Sequence, residues 1–211
     1  MSFDFVLYGA FKMGVEQVDY LDFYREFGHL TNEETIRKLA AASSEMAWSK
    51  GDILIRPGET NRMAVFMLKG VAKRYVCSDN GEEQTVGFYW KYAQPLVGAY
   101  SFTKPANVWV KFLTPAQTVV LPWDTLMECM HDDAEVAMAF AEHLLSHSSQ
   151  QIETMKVLET YNAADRYRWF LRHYEDIADR IQENDIALFL GIRPQSLSRI
   201  KRALIDAGEL N

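Results

Sequence analysis

Between Met46 and Pro122 the chain runs through six short β-rich segments, "DILI", "AVFML", "AKRYV", "QTVGFYW", "VWVKFL" and "TVVL". Turn signals separate them: "KGD" (50–52), "PGE" (57–59), "KG" (69–70) and "NG" (80–81), where glycine supplies the positive φ that tight turns need. Many short strands at this spacing specify an all-β sandwich or barrel. This feature constrains the fold most, because everything outside it has to be helix packed around a β-domain.

The flanking patterns are helical. Residues 31–42, "TNEETIRKLAAA", predict a short helix opened by a capping box, with Thr31 accepting from the backbone at Glu34 and the Glu34 carboxylate reaching back. From about Ala134 to Tyr161 a longer helix is expected, with Met138, Ala141, Leu145, Ser148, Ile152 and Met155 recurring at 3-4 spacing. So narrow a stripe suits a helix paired with its own copy in a homodimer, and it equally suits one helix packed on the β-domain. Asn162 is a natural N-cap for a further helix whose apolar face is Tyr167, Phe170, Leu171 and Tyr174.

The chain has 211 residues, 48% of them hydrophobic, and a formal net charge of −7. That rules out a protein coated in basic surface but not a local basic patch, because the field at a phosphate is local at physiological salt. No basic leader followed by an apolar run opens the sequence, and no stretch of about 18 apolar residues occurs, so neither secretion nor a membrane span is expected. Two cysteines, Cys77 and Cys129, match no metal spacing, which makes a reducing, cytoplasmic setting the expectation.

Against this acidic background, Ile192 to Leu204 holds Arg193, Arg199, Lys201 and Arg202 and no acidic residue. Its apolar positions explain the segment. Ile186 and Leu190 are one helical turn apart; Gly191 can end a helix in the left-handed conformation; Ile192 plugs the corner; and Pro194 fits the first turn of a second helix. Leu197, Ile200 and Leu204 then face inward and leave Gln195, Ser196, Ser198, Arg199 and Arg202 outward. Two short helices, Asn184–Leu190 and Pro194–Ile205, form a helix-turn-helix, a motif whose second helix enters the DNA major groove.

Here the sequence resembles a known family. "DIALFLGIRPQSLSRIKRAL" is similar to the C-terminal helix-turn-helix of Crp/Fnr-type bacterial transcription regulators, and "KGDILIRPGETNRMAVFMLKGVAKRY" (50–75) resembles the opening strands of their cyclic-nucleotide-binding-type β-roll. The resemblance spans about residues 30–205. It implies an α+β fold with a jelly-roll or cupin-like β-roll sensor domain (1–130), a dimerisation helix (131–162) and a helix-turn-helix domain (163–211). The implied function is sequence-specific regulation of transcription by a homodimer on a double-stranded DNA operator, with a small-molecule effector and RNA polymerase as further partners.

Carried over residue by residue, the resemblance puts Gln195, Ser196 and Arg199 against base edges and Arg193, Ser198, Lys201 and Arg202 against phosphates. The chemistry agrees, since arginine grips guanine O6 and N7 and glutamine pairs with adenine. Pro194 departs from the family, which uses a polar contact residue there. The usual β-hairpin wing is expected to be reduced or absent, because the sequence stops at Asn211. With eight Lys and Arg against eight Asp and Glu from Ala163 onward, weak non-specific binding is expected.

The family's nucleotide signature, a glycine-glutamate pair followed by an arginine, is broken. Gly98 is followed by Ala99, and no arginine lies between Tyr75 and Tyr161. Cyclic AMP and GMP are therefore not expected as ligands. Two cysteines cannot supply a four-thiolate iron–sulfur cluster. No histidine lies between His29 and His131, which leaves a haem or a cupin metal without a strand ligand and removes the basis for a cupin-like enzyme. No resident cofactor is expected. An apolar or aromatic effector held by Gly98, Tyr100, Tyr89 and Trp109 is one reading of the aromatic-rich β-region; core packing is the other. The rival to a regulator is a ligand-binding or protein-interaction module whose helix-turn-helix no longer binds DNA.

Overall fold

Seven strands form the β-domain of the computed structural model, which describes residues 18–60, 62–98 and 104–209. They are β1 (Ser44–Trp48), β2 (Ile53–Ile55), β3 (Met63–Lys69), β4 (Ala72–Cys77), β5 (Glu83–Tyr89), β6 (Trp109–Phe112) and β7 (Ala116–Pro122). All pairings are antiparallel, in a three-stranded sheet of order β1-β7-β3 and a four-stranded sheet of order β2-β6-β4-β5. The six segments expected from sequence are all strands. The seventh, "SEMAW", escaped because its alternation is weak and half its residues are polar.

Eight helices accompany the sheets among the described residues: α1 (Tyr20–Gly28), α2 (Glu33–Ala42), α3 (Trp123–Asp132), α4 (Ala134–Thr160), α5 (Ala163–His173), α6 (Glu175–Ala178), α7 (Glu183–Leu190) and α8 (Pro194–Asp206). The capping box expected at Thr31 is not formed. Asn32 is the N-cap, accepting from the backbone of Glu34 and Thr35. Thr31 instead gives its backbone N–H and its hydroxyl, both at 2.7 Å, to the carboxylate of Glu135 in the first turn of α4. A tertiary partner outcompetes the local cap: the Glu135 carboxylate takes both Thr31 donors in charge-assisted bonds, and the Asn32 amide oxygen caps the helix in its place.

Three cores follow from the alternation of the strands. Val65, Met67, Ala72, Tyr89, Val110, Phe112 and Val120 fill the space between the sheets. Phe66, Val119 and Leu121 turn outward from the first sheet and pack under α1, α2, α3 and the start of α4. From the second sheet, Phe88 and Trp90 turn outward into a core built with Phe170, Tyr174, Ile177, Phe189 and Leu190. The C-terminal helices are thus docked on the β-roll through one continuous apolar core.

α4 begins in the N-terminal core with Val136, Ala139 and Phe140 and reaches the C-terminal one at Val157. Its other face carries the 3-4 stripe, on which Met138, Leu145, Ile152 and Met155 are 60%, 67%, 62% and 56% exposed. The stripe itself is therefore uncovered, and α4 packs on the roll through other residues, Val136, Ala139 and Phe140.

Candidate nucleic-acid interface and effector cleft

The helix-turn-helix forms as its apolar positions dictate. Gly191 adopts φ 63°, ψ 35° and closes α7, and the backbone N–H of Gly191 and of Ile192 both point to the carbonyl of Ala187. A Cβ at 191 would make only an ordinary contact, 3.7 Å to Arg166 Nη1, but on a strained backbone, so glycine is there for its conformation. Ile192 is buried in the corner, and Leu197 and Leu204 anchor α8 from beneath. Arg166 completes the corner. Its Nε donates to Tyr161 O at the end of α4, and its Nη1 donates to Leu190 O at the end of α7. Nothing in the sequence singles out this arginine, because its partners are carbonyls that only the turn brings together.

On the outer face of α8, Gln195, Arg199, Arg193 and Arg202 are exposed, and Ser196 is half-buried. The three arginines have no carboxylate partner among the described residues. Ser198 is exposed and donates to Pro194 O at 3.2 Å. Lys201 is different. Its ammonium bonds Glu183 at 2.6 Å, an ion pair between α8 and α7 that raises its pKa. The first turn of α8 holds no acidic residue and no side-chain cap; Pro194 has no N–H and Ser196 and Leu197 donate to Arg193 O, so the Gln195 N–H is the one left open to an acceptor.

One contact ties this unit to the roll. Lys73 of β4, 3% exposed, bonds Glu83 at 2.7 Å and Asp185 of α7 at 2.9 Å. Burial opposes the ammonium, and the two carboxylates more than restore it, raising the Lys73 pKa. Gln84 of β5 adds a hydrogen bond to Leu188 O. No charge pattern in "AKRYV" announces this, since the partner lies 112 positions away.

The residues expected to line an effector site are dispersed. Gly98 borders a small cavity of about 80 Å³ with Ile55, Met63, Leu96, Trp123 and Phe140, and a Cβ on it would lie 2.6 Å from Ile55. Tyr89 is buried between the sheets; its hydroxyl donates to Val97 O at 2.6 Å, and its ring stacks on His147 of α4. Trp109 stacks on Tyr75 and borders neither that cavity nor the one described next. Tyr100, like Ala99, lies outside the described residues. A second cavity, of about 200 Å³, lies between the segment after β5 and the middle of α4, lined by Lys91, Tyr92, Gln94, His143, His147 and Gln150. His147 lies on α4, outside the strand segments in which a ligand histidine was sought from sequence. Burial and then the Arg74 charge push its pKa down to about 4, so the ring is neutral at pH 7.

Among the described residues no cluster of three His, Cys, Asp or Glu side chains could hold a metal ion. Cys77 is exposed and Cys129 buried, both unpaired. None of the described helices is long and apolar enough to cross a membrane.

This arrangement, a β-roll followed by a long helix and a helix-turn-helix, is the fold of Crp/Fnr-type transcription regulators. Solved structures of that type superpose along most of the chain. FixK2 from Bradyrhizobium japonicum matches with a TM-score of 0.69 at 16% identity, over 79% of this chain and 86% of that one. A transcriptional regulator of the Crp/Fnr family from Eubacterium rectale matches with a TM-score of 0.69 at 17% identity, over 89% of both chains. The c-di-GMP-responsive global regulator CLP of Xanthomonas campestris gives 0.67 at 15% identity, over 84% of this chain and 93% of its own. No protein-family model and no curated protein matches the sequence.

Proposed function

We propose that this protein is a dimeric, sequence-specific DNA-binding regulator of transcription whose β-roll carries a sensor site. The observation that carries the reading is the outer face of α8: three unpaired arginines and Gln195 on a helix anchored from below by Leu197 and Leu204. Arg199 and Gln195, with Ser196, are assigned to base edges. Arg193, Arg202 and Ser198 are assigned to phosphates, with the open Gln195 N–H of α8 beside them. Lys201 contributes less than its charge suggests, because Glu183 already neutralises it. We place the functional boundaries near 130 and 162, where α3 gives way to α4 and α4 to α5.

The test is fluorescence anisotropy with duplex DNA from the region upstream of the protein's own gene, at low and at physiological salt. Binding should weaken steeply with salt as counterions are released. Arg199→Ala should lose about 1–3 kcal/mol of discrimination at one base pair per half-site. Lys201→Ala should cost less affinity than Arg202→Ala. No binding at low salt would favour the rival, a ligand-binding or interaction module, and an unchanged specificity profile in Arg199→Ala would remove the base-reading role.

A further inference from the structure

The inner face of the second sheet holds a cation without a counter-charge. Lys73 and Arg74 are neighbours on β4, so their side chains leave opposite faces. Lys73 meets two carboxylates on the outside, whereas Arg74 enters the cleft between β5 and α4 and meets none among the described residues. Its Nε is buried and has no hydrogen-bond partner. The groups around it are neutral: the Tyr89 hydroxyl, which donates to Val97 O and accepts from the guanidinium; the His147 ring; and the Gln151 amide of α4, which donates one N–H to Val86 O at 3.3 Å. A buried guanidinium N–H without an acceptor is costly, and an anion beside it would complete it.

The position of that anion can be read from Gly87, which faces Arg74 across the β4–β5 ladder. A Cβ built on Gly87 would touch only two atoms within 4 Å, Gln151 Nε2 at 3.5 Å and Arg74 Nη2 at 3.6 Å. Both are nitrogen donors, and both border the space that a side chain at 87 would fill. The absent side chain at 87 leaves room for an oxygen there, within reach of β4 and α4 at once.

We propose that this space is a binding site for an oxyanion, the carboxylate or phosphate group of a small molecule, held by Arg74 Nη2 and Gln151 Nε2 beside Gly87. The site includes Tyr89, one of the four residues expected from sequence to hold an effector, and lies apart from the cavity at Gly98. The bound oxygen bridges the sheet to α4 at Gln151, one residue before the exposed Ile152 and one helical turn before the exposed Met155. Occupancy would therefore bear on the placement of α4, and that consequence rests on the regulator reading; the binding itself does not.

Thermal melts of the full chain with inorganic phosphate, acetate or benzoate, against sodium chloride at matched ionic strength, test the site. At least one oxyanion should raise the melting temperature in a saturable way that chloride does not reproduce. Phosphate alone acting would assign the phosphate class, and acetate or benzoate acting the carboxylate class. Gly87→Ala should fold with an unchanged melting temperature when no oxyanion is added, because its methyl meets only ordinary van der Waals distances, yet bind at least tenfold more weakly. Arg74→Gln should lose binding, and Arg74→Lys should recover only part of it for want of a planar fork. No stabilisation beyond chloride by any of the three, or equal stabilisation of Gly87→Ala, would overturn the site. Anisotropy with operator DNA, with and without the active oxyanion, reads the regulatory consequence separately. Stabilisation without DNA binding would keep the site and sink the regulator reading; DNA binding without stabilisation would do the reverse.

Discussion

His147 faces inward from α4 with its ring nearly parallel to that of Tyr89, 5.9 Å away, and with the Arg74 charge close enough to oppose its protonation. Its pKa is pushed down to about 4 from an ordinary 6.5, by burial first and Arg74 second. The sign of the resulting pH dependence follows from linkage. Below about pH 6.5 the unfolded chain takes up a proton that the folded chain refuses, so acidification favours unfolding until the folded ring also protonates near pH 4. His147→Gln removes that proton uptake. The gap in melting temperature between wild type and variant should move against the wild type from pH 7 to pH 5; a gap independent of pH would mean that the ring is free to charge in the fold. The same logic marks Arg166, Arg74 and His147 as residues illegible in the sequence. Each owes its role to a carbonyl, a vacant volume or a ring supplied by a distant segment.

At the scale of elements, the join between the roll and the helix-turn-helix is where polar chemistry carries weight. Lys73 lies almost fully buried between Glu83 of β5 and Asp185 in the first turn of α7. Lys73→Met would leave the Asp185 carboxylate, 6% exposed, without a cation and should cost about 3–5 kcal/mol. Asp185→Asn leaves Lys73 paired with Glu83 and should cost about 1.5–3 kcal/mol, the value of one hydrogen bond to a charged group. The double variant should recover much of the Lys73→Met loss, since no buried charge is then stranded. Urea unfolding measures all three; equal losses in the two single variants would mean that Asp185 is hydrated and not braced. Most strands and the helices α2, α4, α5, α7 and α8 were legible in the sequence, down to the Gly191 corner and the start of α8 at Pro194, because periodicity and cap chemistry are local; β1, α1, α3 and the short α6 were not. The docking was not. Phe88 and Trp90 alternate with Gly87 and Tyr89 as any strand does, and the sequence does not state that the outer face is covered by α5 and α7. The misplaced cap at Thr31 has the same origin, a long-range carboxylate overriding a local motif.

For the whole molecule the decisive surface is the uncovered stripe of α4. A helix of 27 residues is about 40 Å long, and its exposed Met138, Leu145, Ile152 and Met155 repeat at heptad spacing along nearly its full length. On the dimeric reading proposed above, the occupant of this stripe is a second copy packed about a two-fold axis. That dimer would present two α8 helices to successive major grooves, about 34 Å apart on one face of the DNA. Two weak half-site contacts then act as one tight one, because the second binding event becomes intramolecular; the gain is about 10²–10⁴-fold. This also reconciles the charge balance of residues 163–211 with operator binding, since each neutral reading head needs only modest affinity of its own. The double substitution Leu145→Glu and Ile152→Glu alters exposed positions only, so each chain should keep its fold and melting temperature when measured as a monomer. Light scattering should give half the wild-type molar mass, and operator affinity should fall at least about 100-fold while single half-site affinity stays unchanged. A variant that remained dimeric would place the two-fold interface elsewhere, and a monomer with full operator affinity would show that each α8 reads its site alone.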